Sequence, residues 1–156
     1  MSTPFETFLL ELAKVLNFST LAPDPQGACL IIMKDGDTSL LFEFDDQLVP
    51  NTVLLSSPIA PIPIINRIDV YEAALIGNTS IEDTLSVKPD EDVLYLHRRL
   101  HPLMQATDIE QLIRIFLETI EQWKGRIATI TTQPSRETFT PFPSAIQVFP
   151  NGKKSQ

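Results

Sequence analysis

The stretch Ala28-Cys29-Leu30-Ile31-Ile32-Met33, followed by Lys34-Asp35-Gly36-Asp37 and then Ser39-Leu40-Leu41-Phe42-Glu43-Phe44, decides the fold. The Asp-Gly pair supplies the positive φ that a tight reversal needs, so the two apolar runs predict an antiparallel hairpin. Side chains alternate across a strand. Cys29, Ile31 and Met33 therefore share one face of the first run, and Ala28, Leu30 and Ile32 share the other. Both faces are apolar. One must meet the core; the other calls for a helix, a second subunit or a bound partner.

Reading outward, Asp45-Asp46 breaks the second strand and Thr52 to Ser56 predicts a third, which makes a three-strand meander. Pro58, Pro61 and Pro63 impose an extended connection. Asn66 to Ile76 reads as a short helix ended near Gly77-Asn78, with Val70, Tyr71, Ala74 and Leu75 as its apolar side. Ile81, Asp83, Leu85 and Val87 alternate as a fourth strand. A turn at Lys88-Pro89-Asp90-Glu91 leads to a fifth, Val93 to Leu100, with Leu94, Leu96 and Leu100 on one side.

Helices flank this β-rich block. Thr3-Pro4-Phe5-Glu6 is a start signal, with Thr3 and Glu6 as a capping box and Pro4 at the first helical position. Phe5, Phe8, Leu9, Leu12, Val15 and Leu16 then form one apolar stripe. Near the other end, Thr107-Asp108-Ile109-Glu110 predicts a second capping box. It opens a long amphipathic helix through Leu112, Ile113, Phe116, Leu117, Ile120, Trp123, Ile127 and Ile130.

The element order is helix, three strands, helix, two strands, helix. It predicts an α+β domain over residues 1–133, an antiparallel sheet with flanking helices. From Pro134 the composition changes. Pro134, Pro141, Pro143 and Pro150 are mixed with Ser, Thr, Gly and Lys. Residues 134–156 are expected to be a Pro-rich flexible tail, with Phe139, Phe142, Ile146, Val148 and Phe149 available to dock.

The chain has 156 residues, of which 43% are hydrophobic, so one domain with a sizeable core is expected. Its formal net charge is -8. Residues 1–133 carry 19 of the 20 acids and nine of the 12 bases, so the domain stands at -10 and the tail is mildly basic. Such a domain repels phosphate backbones and anionic lipid, which argues against nucleic-acid partners and membrane attachment. The one cysteine, Cys29, excludes an intramolecular disulfide framework and fits a reducing compartment. Glu6 and Glu11 interrupt the apolar start, so no secretory signal is expected, and no run approaches the length of a membrane helix. The sequons at Asn17 and Asn78 then read as chance matches.

The catalytic inventory is thin. His97 and His101 have metal-ligand spacing for a helix, but they follow a strand, and Arg98-Arg99 would repel a cation. They read as two polar residues on a solvent face. Cys29 lies in an apolar strand without a neighbouring base. The five glycines form no phosphate-cradling loop. The acid clusters Asp35/Asp37, Asp45/Asp46 and Asp90-Glu91-Asp92 read as solvated turns and not as a calcium loop. No enzyme, cofactor or metal site is expected. An apolar-rich acidic domain without catalytic groups works through its surfaces.

The order of elements, the length and the low isoelectric point resemble those of the class I type III secretion chaperones, the Tir chaperone family of Gram-negative bacteria. The resemblance rests on the Phe5-Glu6-Thr7-Phe8-Leu9-Leu10-Glu11-Leu12-Ala13 helix, the Cys29-Leu30-Ile31-Ile32 strand and the hairpin to Leu40-Leu41-Phe42. The Pro58–Pro63 connection and the terminal Phe116-Leu117-Glu118-Thr119-Ile120-Glu121-Gln122-Trp123 stretch complete it. It covers about Thr3 to Gln133. The resemblance implies a small cytosolic homodimer without enzymatic activity. Its short middle helix and later strands would build the dimer interface, and an exported effector's N-terminal segment would wrap around it. Components of the secretion apparatus are further partners on this implication. By position, Val70, Tyr71, Ala74 and Leu75 become dimer residues. Phe5, Phe8, Leu12, Leu30, Ile32 and Leu41 become effector-groove residues. Each of the ten is also readable as ordinary core. A dimeric α+β binding or regulatory domain with no secretion role remains open beside the chaperone.

Overall fold

The computed structural model describes residues 1–45, 49–79, 82–88 and 90–134, and the backbone of 147–148 and 154–155. Helix α1 spans Pro4–Leu16 and is followed by strands β1 (Ala28–Ile32), β2 (Ser39–Asp45) and β3 (Thr52–Pro61). Helix α2 (Arg67–Gly77) leads to β4 (Thr84–Lys88), β5 (Val93–Leu100) and the long helix α3 (Ala106–Thr132). The sheet is antiparallel, in the order β1-β2-β3-β5-β4, so β1 and β4 are its two edges. This is the α+β arrangement expected from the sequence.

The hairpin forms where the Asp-Gly pair predicts it. Gly36 has φ 77°, and the Asp35 carboxylate accepts from the Asp37 and Thr38 amides at 2.9 and 3.0 Å. Those bonds hold the Asp35 carboxyl below its usual range. Cys29 pairs with Phe42 and Ile31 with Leu40, and all four are buried. Burial raises the Cys29 thiol, so it stays protonated and inert.

All three helices cover the same face of the sheet. Phe5 stacks on Phe44 at 6.0 Å between ring centroids, and Phe8 meets Phe42 at 5.8 Å, which seats α1 over β2. Helix α3 lies against α1 and β3, and α2 against β4 and α3. Leu55, Leu94, Leu96, Phe116, Ile120 and Trp123 close the core between the layers. Every second residue of the strands points into it, as the period of two requires.

Three expectations need correction. The strand expected to end at Ser56 continues to Pro61, so most of the proline connection is strand. Proline donates no ladder bond, and the register against β5 shifts between Pro58 and Ala60 to accommodate that loss. The Thr107 capping box does not form: α3 begins at Ala106 after Gln105, whose side chain makes no cap. Glu11 of α1 supplies the cap instead, accepting from the Ala106 amide at 3.1 Å. The fourth strand starts at Thr84; Ile81 lies outside the described residues. By contrast, the Thr3–Glu6 capping box is present in full.

The expected tail lies outside the described residues, apart from Pro134 and the backbone of Gln147–Val148 and Lys154–Ser155, which pair as strands β6 and β7.

Candidate functional site

With the helices on one face, the opposite face of the sheet is left bare by the described residues. Leu30 and Ile32 of edge strand β1 stand on it, 61% and 66% exposed. Leu41 lies beside Leu30 through the β1–β2 register, and Leu54 follows on β3. A groove of about 380 Å³ runs across this face, with Leu30, Leu41, Leu54, Pro58 and Tyr95 as apolar walls and His97 in its floor. The sequence left open which face of the hairpin meets the core. The structure puts Cys29 and Ile31 inside and leaves Leu30 and Ile32 outside.

Phe5, Phe8 and Leu12, expected as groove residues, are core residues. The apolar stripe of α1 has one sheet face to cover and is consumed in covering it. Only Leu30, Ile32 and Leu41 of that set lie on the bare face. Leu54 and Tyr95 were missed by sequence reading. Their alternation with Val53, Leu55, Leu94 and Leu96 marks them once the strand pairing is known.

His97 is not on an open solvent face. It is half-buried, joined to Ser56 Oγ at 2.8 Å through Nδ1 and to Ser86 Oγ at 2.5 Å through Nε2. The ring thus ties β3, β5 and β4 together, with Tyr95 stacked at 6.1 Å. Burial lowers its pKa, and Lys88 and Arg99 lower it further. His101 is engaged separately, accepting the Leu103 amide on Nδ1 at 3.1 Å. Among the described residues no three His, Cys, Asp or Glu side chains are placed to hold a metal ion.

The lip of the groove is charged. Lys88 Nζ lies 4.3 Å over the Tyr95 ring, and the Glu91 carboxylate accepts from the Tyr95 hydroxyl. That bond is the main reason the Tyr95 pKa is pushed up to about 12.

A second surface lies on α2. Val70 is in the core and Ala74 is buried, so these two expected dimer residues face inward. Tyr71 is partly covered and Leu75 is 69% exposed. Ile68 stands three residues before Tyr71, so Ile68, Tyr71 and Leu75 form one outward stripe. Between α2 and edge strand β4 runs a groove of about 460 Å³, walled by Tyr71, Leu75, Asn78, Leu85 and Val87. Asn78 fixes that wall: its Oδ1 accepts the Leu85 amide at 2.7 Å and its Nδ2 donates to the Leu85 carbonyl at 3.1 Å.

The model of the Tir chaperone protein (CesT) family matches residues 7–124, which include most of α1, the whole five-stranded sheet, α2 and most of α3. The chain belongs to this family. No curated protein matches the sequence. Among solved structures, a chain of the HopA1–SchA chaperone–effector complex superposes with TM-score 0.64 at 16% identity, covering 78% of this chain and 94% of that one. A chain of the ExsC–ExsE complex gives TM-score 0.64 at 12% identity, covering 76% and 90%. A chain of the structure of the Yersinia pestis type III secretion chaperone SycH in complex with a stable fragment of YscM2 gives 0.59 at 11%, covering 76% and 98%. At these identities the likeness is one of fold. It spans nearly the full length of each neighbour. No helix among the described residues is long and apolar enough to cross a membrane.

Proposed function

We propose that the chain is a cytoplasmic chaperone of a type III secretion system, a homodimer without enzymatic activity. It holds the N-terminal segment of one or more exported effectors soluble and ready for export. One observation carries this reading: in a chain of a chaperone family, an apolar sheet face bounded by edge strand β1 is left uncovered by the described residues. The neighbours of like fold are chaperone complexes named with bound partners, which supports the same reading.

The partner lies across the bare face as an extended chain. Its alternate side chains pack between Leu30, Leu41 and Leu54, and its backbone pairs along β1. The dimer forms through the Ile68–Tyr71–Leu75 stripe and the α2–β4 groove, the same patch on both protomers. Secretion-apparatus components would meet the loaded dimer.

The test is recovery of the tagged full chain from its host, with captured proteins identified and their export followed in secretion-competent and secretion-deficient cells. The expected result is one or more exported proteins, bound through their N-terminal segments and lost on Leu30→Asp with Leu41→Asp. Capture of non-exported proteins only, or capture indifferent to those substitutions, overturns the proposal.

A further inference from the structure

The bare face is not uniform. Leu30, Leu41, Leu54 and Pro58 wall the groove over β1, β2 and β3, whereas its floor toward β4 is polar. There the His97 ring bridges the Ser56 and Ser86 hydroxyls at 2.8 and 2.5 Å. Ser56 is 5% exposed, and among the described residues neither hydroxyl has a second partner.

A neutral imidazole has one N–H and one bare nitrogen. With two serine hydroxyls that makes three hydrogens for two bonds, so one hydroxyl hydrogen is always left over. A doubly protonated ring donates to both serines and leaves both hydroxyl hydrogens free. An apolar side chain laid over this floor strands them as buried donors without an acceptor. A carboxylate uses them, because it only accepts.

The charges around the ring favour the same guest. Lys88 and Arg99, both cations, are the charges that shift His97, and both act against protonation of the empty site. Arg99 stands on the same face two positions along β5 and is held by Asp45 at 2.8 Å. Lys88 Nζ lies over the Tyr95 ring, whose hydroxyl is taken by Glu91. Glu82 is paired with Arg98. Glu43 lines the groove from β2, two strands away from His97 and so about 10 Å across the sheet.

We infer that the Ser56–His97–Ser86 floor, with Lys88 at its rim, is a subsite for one aspartate or glutamate side chain of the bound partner, set among apolar residues that cover Leu41 and Leu54. This rests on the reading of the bare face as partner-binding and names a chemistry that the partner must carry. As the carboxylate arrives, the ring takes up a proton from solvent and the Ser56 hydroxyl donates to the guest. The domain's net charge still favours basic segments at long range; the subsite selects at contact.

The test uses two capped peptides, acetyl-Thr-Leu-Thr-Glu-Thr-Leu-Thr-amide and its Gln counterpart, titrated into the full chain and followed by the imidazole NMR shifts of His97. His101, the only other histidine, is the reference. The glutamate peptide is expected to raise the His97 pKa by about 1, and so to gain about tenfold in affinity as pH falls through the window between the bound and free values. Its own carboxylate stays ionised above about pH 5. The glutamine peptide gains nothing over that window. His97→Gln is expected to abolish the pH dependence. Lys88→Gln, at an exposed position, is expected to cut the preference for glutamate severalfold while Trp123 fluorescence stays unchanged. Equal affinity of the two peptides, no binding of either at millimolar concentration, or an unmoved His97 pKa at saturation overturns the inference. If exported proteins are captured equally by the wild type, His97→Gln and Lys88→Gln, the subsite falls and the chaperone reading stands. If the glutamate peptide is preferred while no exported protein is captured, the chaperone reading falls and the subsite stands.

Discussion

Gly77→Ala tests how closely α2 is pressed onto the core. A Cβ at Gly77 would lie 2.6 Å from Trp123 Cζ2, 3.0 Å from Cη2 and 3.2 Å from Leu85 Cδ1. Carbon atoms pack best at about 3.5–4.0 Å, so the new methyl overlaps the indole by roughly an ångström. The ring has little room to retreat. Trp123 is buried, and the Arg126 guanidinium lies 4.3 Å over its face. Overpacking of this kind costs about 1–3 kcal/mol. Replacing glycine by alanine in a helix returns at most about 1 kcal/mol, and less at Gly77 because it is the last residue of α2. The expected net effect is a loss of about 1–2 kcal/mol, a fall in Tm of roughly 2–8 °C. Trp123 is the only tryptophan, so urea unfolding followed by its fluorescence reads both the stability and the site. Circular dichroism then compares the effect of Gly77→Ala in a Trp123→Leu background, where the expected penalty shrinks or vanishes. A Gly77→Ala protein as stable as the parent, or an equal loss in both backgrounds, refutes the close approach.

Three further outcomes are expected. Leu75→Glu places a carboxylate on the exposed stripe of α2, so the protomer keeps its Tm at low concentration while sedimentation shows a monomer in place of the dimer; a dimer that persists removes the stripe from the interface. Arg98→Leu leaves Asp83, 5% exposed and already raised in pKa by burial, without its cation at 3.4 Å. It is expected to cost about 3–5 kcal/mol at neutral pH, to cost less as acid protonates Asp83, and to exceed Asp83→Ala in chemical denaturation. For His97, the folded pKa lies below the ordinary 6.5, so between the two values the unfolded chain binds more protons and stability rises with pH. The wild type should therefore lose stability relative to His97→Gln as the pH falls below about 6.5, and parallel curves for the two proteins would deny the shift.

Element type and order were legible because each signal was local. The Asp-Gly turn, the Thr3–Glu6 box and the helical stripes need no knowledge of distant residues. What the sequence misread was decided at long range. Glu11 caps α3 across 95 positions, which makes the Thr107 box unnecessary. Pro58, Pro61 and Pro63 point to an extended connection, yet β3 runs on to Pro61, with a register shift against β5 between Pro58 and Ala60. The site was legible only in part for the same reason. A periodic stripe on α1 and a strand with two apolar faces look alike in one dimension. The three helices crowd onto one side of the sheet, and that settles that Phe8 is core and Leu30 is surface.

This one-sidedness also gives the acidic charge a physical role. A sheet face carrying Leu30, Ile32, Leu41 and Leu54 invites pairing of copies edge to edge along β1, a familiar route to aggregation. A domain with a formal charge of -10 over residues 1–133 repels its own copies at distances comparable to the Debye length, before short-range apolar contact can form. The same field attracts a basic partner segment. Added salt is therefore expected to act oppositely on two measurements: it should promote self-association of the empty protein while weakening capture of a basic partner segment. If both moved together, apolar burial alone would account for them.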